Sequence, residues 1–513
     1  MPHASNTRRW PSALFILALV LLTALAGGLR FHNLADSSFW NDELYTVRSA
    51  LDMSGGNVSK ALGYMPARAA LALDGVDRAA VDNTRPETWK AAGIDKFALR
   101  WPHALIGLLT IPILMLAARR PLGEPAAILF GLLLAISTWH IYWSQAARFY
   151  IPQFLFFNAA LLLWIPATRA RTGLYPTPDD APTPTDAEGT EDHGSTPRFI
   201  LAMLGAFLAF WCQPVSLMLF GILGLDWLIA LARRKPLAMT PARYAVGVVA
   251  GLLCVGMLAW DMTRRTEQWT QFVGQDSWLK PHELILAVVF FTWPATAALV
   301  AAASLWLLRA RPRLGVPLVL AATLPPIIFA AISLNKGFVG SRYAFVALGP
   351  TLAIAAVALV EIARLVRARG GLCLAAAPIL AVVVGQLFAT AIYFRSGGAY
   401  HLPMDQAAAY LAEHRDPRQT VYAHEDEILR YELGDANVEF EPRTPAEWAA
   451  ITEPSWFVEG TGHSGESELL DRPGISLEAT FRLQQVHSRA EVRVYRYLPP
   501  QDPTRARIVP VQD

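Results

Sequence analysis

The sequence predicts a polytopic α-helical membrane protein of about eleven transmembrane helices, with a small α/β domain at its C-terminal end. Three observations predict it. Apolar runs of about 20 residues, long enough to cross a hydrocarbon core as helix, recur along most of the 513 residues. Composition agrees, with 54% hydrophobic and only 17% charged residues and a mean hydropathy of +0.32. From about residue 394 onward the pattern changes to short apolar strands alternating with helical periodicity.

The apolar windows fall near 12–29, 102–118, 125–140, 152–168, 199–212, 215–232, 244–260, 284–308, 315–334, 343–361 and 372–393. With the N-terminus cytoplasmic, the inner connections carry Arg8 and Arg9, Arg119 and Arg120, Arg169, Arg171 and Arg198, then Arg233, Arg234, Lys235 and Arg243. Arg309, Arg311 and Arg313, and finally Arg364, Arg367 and Arg369, continue the series. The short outer turns are poor in cations, as the positive-inside rule expects, and an odd number of crossings puts the C-terminus outside. Residues 1–29 also read as a signal peptide, but the run reaches spanning length and Gly27-Gly28-Leu29-Arg30 lacks a small-x-small cleavage site.

Two large segments are expected, a transmembrane domain over 1–393 and a small periplasmic domain over 394–513. The first contains an outer loop at 30–101, with a helix near Pro86-Glu87-Thr88-Trp89, and a cytoplasmic linker at 171–197. That linker is rich in Pro, Thr, Asp and Glu and is expected to be disordered. In the C-terminal domain helices are expected at 404–414, 424–433 and 444–450, with strands at 419–423, 437–440, 454–459, 476–484 and 491–497. It has no phosphate-binding glycine fingerprint and no nucleophile elbow, which leaves docking, acceptor positioning or plain stability.

The charge balance, 44 Lys+Arg against 42 Asp+Glu, excludes a generally basic nucleic-acid binder. Cys212, Cys254 and Cys373 lie in apolar runs without CxxC spacing, so neither a disulfide framework nor a cysteine zinc site is expected.

Chemistry concentrates at three places. Phe39-Trp40-Asn41-Asp42-Glu43-Leu44-Tyr45 holds adjacent carboxylates that project in different directions, so that one can face a reacting hydroxyl while the other orients a partner. The same pair suits the N-terminus of an interfacial helix. The second place, the run from Trp139 to Tyr150, places Arg148 near an outer boundary, where its planar fork suits phosphate oxygens. An ordinary aromatic belt with Arg148 snorkelling to headgroups fits equally. The third is Asn335-Lys336-Gly337-Phe338-Val339-Gly340-Ser341-Arg342-Tyr343, which again joins cations, glycines and aromatics. Arg30 and Arg100-Trp101-Pro102 complete a set of outer cations able to form a pocket for an anionic headgroup.

Together these residues resemble membrane glycosyltransferases of the GT-C type. The likeness is to the family 39 group related to protein O-mannosyltransferases and the bacterial aminoarabinose transferases of lipid A. It spans roughly 12–400 and rests on Arg30, Trp40-Asn41-Asp42-Glu43, Leu99-Arg100-Trp101-Pro102 with Gly107, and Ser144-Gln145-Ala146-Ala147-Arg148-Phe149-Tyr150. The resemblance implies a polyprenyl-phosphate sugar donor and an acceptor arriving from the outer compartment. It implies Asp42 as catalytic base or acceptor orienter, with Glu43 in support. Arg30 and Arg100 match arginines linked to activity, and the implied donor-phosphate and lipid-binding set is Arg30, Arg100, Arg148, Tyr150, Lys336, Arg342 and Tyr343. Displacement by one acceptor oxygen implies inversion at the anomeric carbon.

Two positions depart from the family pattern. Its outer-loop His-Pro-Pro stretch is absent, Tyr64-Met65-Pro66-Ala67 being the nearest match, and Ala146 replaces an acidic residue often found there. The first leaves the acceptor open among lipid, glycan and protein. Ala/Leu richness and the bacterial-type tail suggest a bacterial inner-membrane enzyme and an undecaprenyl carrier. No cofactor is expected, and a divalent metal on the Asp42-Glu43 pair lacks further ligands. A silent scaffold of the same fold, or a lipid-linked glycan polymerase or ligase, are the alternatives. A transporter is expected to show interrupted spans around a midplane site, whereas these candidates lie at one boundary.

Overall fold

The computed structural model describes residues 11–52, 60–168, 196–234, 237, 239–264, 280–334, 340–395, 402–461, 468–482 and 491–499. In chain order the helices are α1 (Ala13–Phe31), α2 (Asn41–Leu51), α3 (Ala61–Leu73), α4 (Lys96–Leu122), α5 (Glu124–Ala135), α6 (Thr138–Gln145), α7 (Tyr150–Thr168) and α8 (Thr196–Cys212). They continue as α9 (Leu217–Ala232), α10 (Pro241–Arg264), α11 (Pro281–Thr292), α12 (Pro294–Ala310), α13 (Pro312–Leu334) and α14 (Leu348–Arg395), the last broken at Gly371, where φ is 81°, into two spanning stretches. The last three, α15 (Met404–His414), α16 (Asp426–Leu433) and α17 (Pro445–Ala449), alternate with strands β1 (Val421–Ala423), β2 (Val438–Phe440), β3 (Ser455–Thr461), β4 (Ile475–Arg482) and β5 (Glu491–Tyr497).

The chain is a polytopic helical membrane protein. Eight of the described helical stretches are long and apolar enough to cross a bilayer, and two bent pairs, α5–α6 and α11–α12, raise the number to ten. The shorter apolar helix α8 adds a further candidate. Each apolar window read from the sequence falls on one of these elements. The linker expected over 171–197 lies outside the described residues except at its end, where α8 begins.

Contacts divide the chain into two compact units. The first comprises Met1–His32, Gly56–Tyr64 and His103–Thr390; the second comprises Asn33–Gly55, Met65–Pro102 and Ala391–Asp513.

In the first unit, two windows expected as straight spans are broken. The α5–α6 pair bends by 56° at Ile136 and Ser137, and α11–α12 by 100°. At the second break Pro294 opens α12, and Trp293 adopts a left-handed φ of 70°. A proline disfavours helical backbone in the residue before it, which explains the stop. At the first break the freed carbonyls are occupied by side chains, as an apolar setting demands. Arg30 donates to Leu134 and Ala135, and the Thr390 hydroxyl to Ile136 at 2.6 Å.

The second unit joins the first loop to the C-terminal domain. Helix α2 carries Asp42 and Glu43 in its first turn and Arg48 in its last, charges that complement the helix dipole. Its buried face repeats at Glu43, Leu44, Val47, Ala50 and Leu51, the spacing of one helical stripe. Helix is thus the outcome for the acidic pair, and the helix expected near Pro86 is a single 3₁₀ turn, Pro86–Thr88.

The mixed five-stranded sheet has the order β2-β1-β3-β5-β4. Strand β1 runs parallel to β2 and β3, whereas β5 is antiparallel to β3 and β4. Its core contains Phe457 and Tyr495, with Trp448 of α17 stacked on Phe457 at 4.8 Å. Alternation of apolar strands and helical stretches had marked each of these elements to within a few residues.

Candidate active site

In the second unit, α2 and the start of α4 bring together Asp42, Glu43 and Arg100. Glu43 and Arg100 are both fully buried. The guanidinium donates from Nε to Glu43 Oε1 at 2.8 Å and from NH2 to Oε2 at 2.7 Å. Its remaining donors reach the carbonyls of Leu34, Ser37 and Ser38 and the Ser37 hydroxyl. Every nitrogen of Arg100 is therefore engaged, and the turn that leads into α2 is tied to the carboxylate that follows Asp42. Asp42 itself is half-buried at the exposed end of this helix, one residue from an anchored neighbour.

Arg30, in the first unit, is equally buried. It donates to the carbonyls of Ala26, Leu134 and Ala135, and NH2 lies 2.7 Å from His140 Nδ1. A guanidinium only donates, so Nδ1 accepts and the ring carries its proton on Nε2. The Ser144 hydroxyl donates to the His140 carbonyl at 2.6 Å, and Gln145 Nε2 to the His32 carbonyl at 2.7 Å. Gly107 of α4 completes the contact, because a Cβ there would lie 2.2 Å from Ser144 Oγ and 3.4 Å from Arg30 Cδ. Three of the sequence motifs, Arg30, Gly107 and the run from Ser144, thus meet in one packed cluster.

Beside it, Arg148 is buried over the face of Phe149, its Cζ 4.4 Å from the ring centroid and 5.9 Å from that of Tyr150. Tyr150 meets Tyr343 edge-on at 6.5 Å, and Arg342 lies 5.6 Å from the Tyr343 ring. The second and third motifs are therefore neighbours through their aromatic residues, and Phe154 stacked on Phe345 at 4.7 Å continues the seam. Lys336 lies outside the described residues.

One further cation belongs to this cluster. Lys60 Nζ is 5.3 Å from the centroid of the same Phe149 ring, brought there by close packing at Gly63, where a Cβ would stand 2.4 Å from Phe149 Cβ. Lys60-Ala61-Leu62-Gly63-Tyr64 repeats the cation, glycine and aromatic content of the third motif, which was the available signal.

The second unit holds two further charged neighbours of the Asp-Glu motif. Asn41 donates its amide to Glu425, and Arg48 NH2 to Glu427 at 2.7 Å. Burial raises the Glu425 carboxyl above its ordinary range although the Asn41 bond opposes this, and burial likewise raises Asp426. No group of three or more His, Cys, Asp and Glu side chains among the described residues is placed to hold a metal ion.

No family model matches the sequence, and no curated protein matches it. Solved structures do. ArnT from Cupriavidus metallidurans bound to undecaprenyl phosphate is 15% identical, with 95% of this chain and 98% of that one covered at a TM-score of 0.52. This chain has an ArnT-like fold. The apo state of the same ArnT gives 16% identity, coverage of 94% and 97%, and a TM-score of 0.53. The Archaeoglobus fulgidus oligosaccharyltransferase tethered with an acceptor peptide containing the NVT sequon is 13% identical, with 85% and 64% covered at a TM-score of 0.50. At such identities the likeness is one of fold.

Proposed function

We propose that the protein is an inverting glycosyltransferase. In this reading it moves a sugar from a polyprenyl phosphate, undecaprenyl phosphate in a bacterial membrane, to a hydroxyl of an extracytoplasmic lipid, glycan or protein. The transmembrane part over 1–393 carries the donor, and the domain over 394–513 lies on the acceptor side of an inner membrane. The observation that carries this reading is the convergence of Lys60 and Arg148 on Phe149. An ammonium and a guanidinium meeting one buried ring are groups suited to phosphate oxygens, and the ArnT that shares the fold is bound to undecaprenyl phosphate.

The chemistry assigned to the residues is a single displacement. Asp42 accepts the proton of the acceptor hydroxyl as its oxygen bonds to the anomeric carbon. The bond from that carbon to the phosphate oxygen breaks, its electron pair leaves with the polyprenyl phosphate, and Lys60, Arg148 and Arg342 stabilise the departing charge. Tyr150 and Tyr343 supply the aromatic wall beside the headgroup, and Lys336 adds a further cation. Glu43 keeps α2 in place through Arg100. Arg30 and Arg100 act through the groups they cap, because NH1 and NH2 of Arg30 already serve carbonyls and His140, and the donors of Arg100 serve carbonyls and the Glu43 carboxylate.

Purified protein in vesicles, given a panel of radiolabelled polyprenyl-phosphate sugars and host envelope extract, tests this directly. Label leaving the lipid carrier for a second molecule supports the assignment. Label that stays on every carrier, with the protein folded, overturns it.

A further inference from the structure

The candidate base lies on a short helix that the rest of its own loop does not hold alone. An eleven-residue helix is marginal in isolation, so the position of α2 depends on tertiary contacts. On one side Arg100 grips Glu43. Within the loop, Arg48 Nε also donates to the Asn83 carbonyl and Arg68 to the Ala50 carbonyl, toward the far end of the helix. Further contacts, nearer Asp42, come from the C-terminal domain.

Four of them bracket Asp42. The Ser38 hydroxyl donates to Asp405 Oδ1 at 2.7 Å and accepts from the Asp405 backbone N–H at 2.9 Å, so that it is locked into the first turn of α15. Asn41, immediately before Asp42, donates to Glu425. Arg48, six residues after, pairs with Glu427, and the Phe39 ring lies 4.7 Å from that of Tyr431. The loop that leads into α4, and the first residue of α4, are fastened to α16, the helix that carries Glu427 and Tyr431. Lys96 pairs with Glu432 at 2.7 Å, Lys90 with Glu432 at 3.2 Å, and the Tyr431 hydroxyl donates to the Ile94 carbonyl.

We propose that Asp405 and Glu425 of the C-terminal domain are positioning residues for the transfer reaction, holding residues 38–41 so that α2 presents Asp42 in a reactive orientation. This rests on the role assigned above to Asp42. Each acts through the segment that carries the base, Asp405 at Ser38 and Glu425 at Asn41. The C-terminal domain is thereby part of the catalytic apparatus. General-base transfer tolerates little displacement, and misplacement by about 1 Å lowers turnover on the order of a hundredfold.

The test uses the full-length protein in lipid nanodiscs with two readouts. Hydrogen exchange of backbone amides in 41–51 reports the clamp without reference to activity, and kcat and KM for the labelled donor report its consequence. Glu425→Ala is expected to speed exchange in that segment and to lower kcat about tenfold to a hundredfold, with the donor KM within about twofold. Glu425→Gln retains an acceptor oxygen for Asn41 and should restore most of the lost turnover. In a cycle with Asn41→Ala, the double variant should fall no further than the worse single one.

Unchanged exchange together with unchanged kcat overturns the proposal. So does lower thermal stability at wild-type kcat, which reduces Glu425 to a structural contact, and so do independent losses in the cycle. Wild-type protein inert toward every donor overturns instead the glycosyltransferase assignment, and exchange in the Glu425→Ala variant then decides the clamp by itself.

Discussion

Arg100 and Glu43 form a two-point ion pair with both side chains removed from solvent, 1% and 0% exposed. Burying two charges carries a large desolvation cost, which here is offset by paired geometry and by the carbonyls of Leu34, Ser37 and Ser38 around the guanidinium. Removing one partner leaves the other charge buried and uncompensated. Glu43→Gln should therefore destabilise the protein by about 3–5 kcal/mol, read as a clear drop in thermal midpoint in detergent micelles. A midpoint unchanged within error contradicts the structural role assigned to this pair.

Gly107 and Ser144 test the cluster around Arg30. A Cβ on Gly107 would meet Ser144 Oγ at 2.2 Å and Ser144 Cβ at 2.6 Å, far inside contact distance. Gly107→Ala should cost roughly 1–3 kcal/mol by overpacking. Adding Ser144→Gly should recover part of that loss even though glycine weakens α6. Losses that simply add would mean that the two residues do not touch.

The Glu425 carboxyl is raised above its ordinary value by burial, with Asp426 and Glu427 adding to the shift and Asn41 and His424 opposing it. The folded protein consequently holds a proton at Glu425 at pH values where the unfolded chain has already released it. Stability from this group falls as pH rises from the ordinary value of 4.5 through the folded one, and stays at its lower level above that. Glu425→Gln has no such dependence. Its thermal midpoint relative to wild type should climb between about pH 4.5 and neutrality, and a difference that is flat over this range contradicts the assigned shift.

Arg148→Lys keeps a positive charge and removes the planar fork and its stacking on Phe149. Binding of undecaprenyl phosphate, measured by titration into nanodiscs, should weaken by about tenfold, or about 1.4 kcal/mol. Affinity equal to wild type returns Arg148 to an interfacial anchor.

Much of the fold was legible because bilayer-length apolar runs and alternating strands are local signals. The acidic pair before an apolar stripe likewise announced α2. The breaks were harder. Trp293-Pro294 carries a local cue in the residue preceding proline, but the α5–α6 bend depends on Arg30, more than 100 residues away, arriving to cap Leu134 and Ala135. For the same reason the sequence pointed to Arg30 and Arg100 as outer cations without showing the carbonyls they serve. Glu425 and Asp405 left no trace near Asp42, being 384 and 367 residues from the partners they hold. Lys60 was one cation in a polar loop until packing at Gly63 set it on the Phe149 ring.

Asp42→Asn carries the most direct test of the central claim, since it removes the assigned base at nearly constant volume on a helix held by its neighbours. Sugar transfer from the labelled polyprenyl-phosphate donor accepted by wild type should fall at least a hundredfold, the order lost with a general base, while donor binding and thermal midpoint stay at wild-type values. Transfer by the variant at the wild-type rate would contradict the account.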